Sequence, residues 1–109
     1  MGVDVKLMRV TRRGTSPKNR RLTQVDSVQD WADLFSGLCA ASALPMLNRV
    51  DPYRSQILTS AEMPQFISEV DATRDLVHNQ QVRDILQSIR QLAERCAESS
   101  DLELHLQGD

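Results

Sequence analysis

The sequence predicts an α+β domain: a small two-layer sandwich whose 2–3-stranded sheet includes the N- and C-terminal strands and is covered on one face by three helices. Three observations lead there. Val3, Val5 and Leu7 alternate with Asp4, Lys6 and Met8, and Leu102, Leu104 and Leu106 alternate with Glu103 and His105; a period of two marks half-buried strands. Between these ends, three segments repeat apolar residues at helical spacing. No Gly or Pro falls between Gln65 and Gln107, so nothing breaks helices there. At 109 residues the chain fits a single domain, 1–109, able to bury about two-thirds of its unfolded surface.

The first strand is placed at residues 3–10. Thr11 to Asp26 then mixes Gly14, Ser16, Pro17 and Asn19 with Arg12, Arg13, Lys18, Arg20 and Arg21. Gly and Pro interrupt regular structure, and so many cations cannot enter a core unpaired. The stretch reads as a long basic surface loop, 11–26, of a length that in a compact domain tends to carry function.

Ser27 is the expected N-cap of the first helix, with Asp30 at N3 and Asp33 in the first turns, where the helix dipole favours negative charge. Val28, Trp31, Ala32, Phe35, Leu38 and Cys39 form its buried stripe, and Pro45 closes it after Ala43. Gly37 costs about 1 kcal/mol against Ala inside a helix, which suggests that another element comes close to it. Asp51-Pro52-Tyr53-Arg54 fits a type I turn, and Gln56 to Leu58 a short strand. Thr59 and Glu62 form a capping box for the second helix, whose stripe is Met63, Phe66, Ile67 and Val70. Pro64 is tolerated because it falls in the first turn. The third helix carries Val82, Ile85, Leu86, Ile89, Leu92, Ala93 and Cys96 in register. Leu76 and Val77 fall out of phase with that stripe, so the helix starts either at Asn79 or, with a drifting face, at Asp75. Ser99-Ser100-Asp101 ends it.

Chemistry is sparse. Glycine occurs only at 2, 14, 37 and 108, and no nucleotide-binding or zinc-protease spacing is present. His78 and His105 stand 27 positions apart without clustered carboxylates, and His105 falls on the polar, solvated side of its strand. Cys39 and Cys96 lie on apolar helix stripes, where burial keeps a thiol inert. The expectation is therefore a non-enzymatic protein with no cofactor and no metal. No apolar run approaches the ~18–20 residues of a membrane span, and the first residues lack a signal-peptide core; membrane binding is not expected and a cytoplasmic setting is.

Charge is the one feature that points to partners. The first 21 positions hold seven basic residues against Asp4 alone, a formal +6, whereas the other 88 hold six basic and fourteen acidic residues, a formal −8. Such division speaks of association rather than fold. Arg9, Arg12, Arg13, Lys18, Arg20 and Arg21 are the candidate partner-binding residues, joined by Tyr53, an aromatic of the kind that anchors interfaces. The expected function is a small protein-interaction module, adaptor or inhibitor-like, whose partner is another protein or a second copy of itself. The long third helix and exposed strand edges favour a homodimer. The alternative is a nucleic-acid-binding accessory protein using residues 9–21. Against it stand the acidic remainder and only four aromatics, Trp31, Phe35, Tyr53 and Phe66, for base stacking.

Overall fold

A computed structural model describes residues 2–12 and 20–108, and of Arg12 and Arg20 the backbone alone. The two alternating segments at the chain ends find each other directly. Strand β1 (Val3–Arg12) pairs antiparallel with β4 (Leu102–Gly108), setting Val5 opposite Leu106 and Leu7 opposite Leu104. Alternation then sends every one of these residues to the same face, where all are buried. β2 (Arg20–Val28) flanks β1 and β3 (Ser55–Thr59) flanks β4, giving an antiparallel sheet ordered β2-β1-β4-β3. The fold is the α+β arrangement expected, with four strands among the described residues rather than two or three.

Among the described residues four helices accompany the sheet: α1 (Leu34–Ala41), the single turn α2 (Pro45–Asn48), α3 (Met63–Leu76) and α4 (Gln80–Ala97). Short 3-10 turns, Trp31–Asp33 and Ser60–Glu62, lead into α1 and α3. The stripes read from sequence for the second and third helices are largely the buried ones, with Ile67 and Ile85 half-buried beside the core. Met63, Phe66 and Val70 of α3 and Val82, Leu86, Ile89, Leu92, Ala93 and Cys96 of α4 join the strand residues in one cluster. Asn79 decides where α4 begins: its Oδ1 accepts the Val82 N–H at 3.2 Å, so Val77 to Asn79 separate two helices. Across them, Arg90 Nε donates to Asp71 Oδ1 at 2.7 Å.

The first helix departs from expectation at its start. Ser27 is no N-cap, because β2 runs on to Val28, which pairs with Val5. Trp31 is 60% exposed rather than buried. Ala32 and Asp33 take positive φ, 54° and 58°, a left-handed step that no helix can continue through. Asp30 holds the corner together. Its Oδ1 accepts the Phe35 N–H at 2.8 Å, and its Oδ2 accepts those of Ser36 (2.9 Å) and Val3 (2.9 Å). Its own N–H donates to Asp4 Oδ1 at 3.0 Å. One carboxylate therefore ties the first turn of α1 to the start of β1. Gly37 has no close neighbour, since a Cβ there would meet nothing within 4 Å; the expected close approach is absent.

A second carboxylate organises the middle of the chain. Glu69, 5% exposed on α3, accepts the Met46 N–H at 2.9 Å and the Leu47 N–H at 3.1 Å through Oε1. Its Oε2 takes Gln65 Nε2 at 3.0 Å. Those two N–H groups open α2, where no intrahelical acceptor exists for them.

Candidate interaction surface

The expected loop 11–26 is in its described parts a β-ribbon. β1 extends to Arg12 and β2 occupies Arg20–Val28, while Arg13 and Lys18 lie outside the described residues. Apolar alternation is missing from β2 for a physical reason. The register slips between Leu7 and Met8, which face Asp26 and Gln24, so Val25 is an extra, bulged residue. A bulge reverses the parity of everything beyond it, and an edge strand exposed from Arg21 to Asp26 needs no apolar face in the first place.

The basic residues gather where this ribbon outruns the sheet. β4 pairs with β1 only as far as Arg9 opposite Leu102. After a last hydrogen bond from the Val10 N–H to the Asp101 carbonyl (2.7 Å), β1 has, among the described residues, only β2 paired with it. Arg9 and Arg21 are both exposed here. Arg9 faces Thr23 and Arg21 faces Thr11 in the ladder, which makes the two arginines diagonal neighbours on one face. The backbone register sets Arg12 directly opposite Arg20.

Tyr53 is not part of this cluster. It is 69% exposed in the turn before β3, where Asp51 Oδ1 accepts its N–H at 2.8 Å. That turn is pinned to the end of β4 by the Gly108 N–H, which donates to the Arg54 carbonyl at 2.9 Å. Only glycine fits there, because a Cβ at 108 would lie 2.4 Å from the Pro52 carbonyl oxygen. Tyr53 thus stands beside the far edge strand and at the opposite end of β1, diagonally across the sheet from the arginines.

Sequence reasoning missed two surfaces. A groove of about 480 Å³ runs between β2 and α4, lined by Asp26, Val28, Gln91, Glu94, Arg95 and Glu98. Three of those side chains are acidic against one arginine, and Arg95 Nη1 already donates to Asp26 Oδ2 at 3.0 Å. An apolar groove of about 430 Å³ lies between the α1–α2 connection and the end of α3, with Leu76, 81% exposed, on its rim. The phase break at Leu76 and Val77 was the available signal for the second. For the first there was none, since it depends on β2 being a strand.

His105 departs from expectation. It does lie on the uncovered face, but it is only 6% exposed, with Nε2 3.1 Å from Glu103 Oε1. β4 is an inner strand, and the ladder places Lys6 and Ile57 on either side of His105, so its burial comes with a position in the middle of the sheet. Among the described residues no three of His, Cys, Asp and Glu come together to hold a metal ion, and no helix is long and apolar enough to cross a membrane.

Both cysteines are fully buried, free thiols. Burial, and secondarily the Asp30 carboxylate, pushes Cys39 up to about 12; burial, and secondarily Glu103, pushes Cys96 up to about 11. Only the thiolate attacks disulfide reagents. At neutral pH both thiols should be silent toward Ellman's reagent in the native protein and titrate as two equivalents in denaturant. A fast-reacting thiol in the folded state would contradict this burial.

Comparison of the chain with family models, with curated proteins and with solved structures returned no match.

Proposed function

We propose that the protein is a non-enzymatic interaction module whose cationic β1–β2 ribbon engages an acidic surface on a partner protein. One observation supports this reading: the ribbon runs past β4 with Arg9 and Arg21 as diagonal neighbours on one face and the Arg12 and Arg20 positions paired next to them in the ladder, in a stretch from 9 to 21 that contains no acidic residue. A cationic arm of this kind speeds association by electrostatic steering and fixes orientation. The ordered strands lower the conformational cost of binding relative to a loose loop. The inner, helix-covered face of the sheet stays in the core, so the module can present the ribbon without disturbing its own stability.

Nucleic acid is the second reading, favoured by the ribbon form itself, since the major groove of duplex DNA admits a two-stranded antiparallel ribbon. Acidic polypeptide and duplex DNA separate the two. Binding to poly-glutamate should weaken steeply with salt, and replacing Arg12, Arg13, Arg20 and Arg21 together by Ala should reduce affinity by about tenfold or more. Indifference of poly-glutamate binding to that replacement would overturn the proposal. Tight binding to duplex DNA alone, with a log–log salt slope near that for several released counterions, would favour the second reading.

A further inference from the structure

We propose that the outer edge of β2 pairs with the same edge of a second copy, antiparallel about a two-fold axis at Thr23, joining two four-stranded sheets into one of eight. The pairing goes beyond the proposed function, because it uses the side of β2 rather than the far end of the ribbon, and only Arg21 belongs to both.

The edge is open. Among the described residues β2 has β1 on one side and no strand on the other, and Arg21 to Asp26 are all exposed. Such an edge offers a row of backbone donors and acceptors to another strand. β2 carries neither the Pro nor the Lys that commonly blunts an edge.

The bulge makes this edge complementary to itself. Residues five apart in a regular strand point to opposite faces. Because Val25 is an extra residue, Arg21 (opposite Thr11) and Asp26 (opposite Leu7) instead lie on the same face, four β1 positions apart. Thr23, opposite Arg9, is midway between them. A two-fold axis at Thr23 therefore sets Arg21 of each copy against Asp26 of the other, and Leu22 against Gln24 beside the bulged Val25. Leu22 and Val25 are the exposed large apolar residues of β2, and the same axis brings them together across the junction.

Charge agrees with this register. Asp26 borders the groove that also holds Glu94 and Glu98; Glu94 is paired with Arg90 and Asp26 with Arg95, which leaves the incoming arginine to share Asp26, with Glu98 nearby. Asp26 already takes the Ser27 N–H (2.8 Å) on Oδ1 and Arg95 on Oδ2. A carboxylate has about four acceptor sites, so it can receive a second guanidinium. The symmetry is isologous, as expected of a closed homodimer.

Sedimentation of the full chain tests the pairing. The wild type should show a concentration-dependent dimer that weakens with salt. Arg21→Glu and Asp26→Arg should each raise the dimer Kd by about tenfold or more, since each sets like charges together twice. An equimolar mixture of the two variants should recover a heterodimer, because the glutamate introduced at 21 then faces the arginine introduced at 26 while the native pair re-forms on the other side. As a second measurement, Thr23→Cys should cross-link to itself under mild oxidation, whereas Thr11→Cys, exposed but off the axis, should not. A wild type that stays monomeric at high concentration, single variants that dimerise normally, or a mixture that fails to recover would each overturn the proposal. Asp26→Arg leaves the far end of the ribbon intact, so poly-glutamate binding by this variant separates failure of the pairing from failure of the proposed function.

Discussion

Replacing Glu69 by Leu should lower the folding free energy by about 3 kcal/mol, read as a reduced midpoint in urea with an unchanged slope. Leu matches the size of Glu well enough that no large cavity forms. The loss is polar: the Met46 and Leu47 N–H groups, now held by Oε1, would be left buried without an acceptor. An unsatisfied buried donor costs about 1–3 kcal/mol, and two are released together. Glu69→Gln should be far milder, because its amide oxygen can take the same two N–H groups and Gln65 can turn its own amide to match. A Leu variant as stable as wild type would mean that water or another acceptor serves α2 equally well.

Asp30→Ala carries the second large effect, an expected loss of about 2–4 kcal/mol. A single N-cap is worth about 1 kcal/mol, but this carboxylate accepts three backbone N–H groups from two elements. Removing it frees the first turn of α1 and the first residue of β1 at once. The left-handed step at Ala32 and Asp33, which costs energy in any non-glycine residue, then loses the contacts that hold it. Hydrogen exchange should show the loss locally, with faster exchange at Val3, Phe35 and Ser36 than the global change explains. Uniform acceleration across the sheet would argue instead that the corner opens only with the whole domain.

The contrast between these sites and the rest shows what residue patterns convey. β1, β4, α3 and α4 were legible because each buries a face, and burial imposes a period of two or of 3.6 on apolar residues. β2 was not, because an exposed edge strand needs no buried face and its bulge breaks the parity that remains. Asp30 was expected at N3, inside a helix capped by Ser27, whereas it lies outside α1, accepts the Phe35 and Ser36 N–H groups from before the helix and grips β1. That depends on a left-handed corner that neither Ala32 nor Asp33 announces. Glu69 gave no signal, since an acid in mid-helix usually faces water, and its partners lie more than twenty residues away. Of the residues proposed for binding, Arg9 and Arg21, which are neighbours on one face, were visible through charge alone. Tyr53 was grouped with them by type, and topology set it at another corner.

The sheet order also dictates when this domain can be completed during synthesis. Its two innermost strands are joined by contacts spanning about a hundred residues of sequence, among the longest loops such a chain can close, and non-local contacts of this kind slow folding. Until residues 102–108 leave the ribosome, β1 and β3 lack their common neighbour. Before then the nascent polypeptide carries its ribbon and its helices without a finished core to bury them, a window in which chaperones would find Val3, Val5 and Leu7 uncovered.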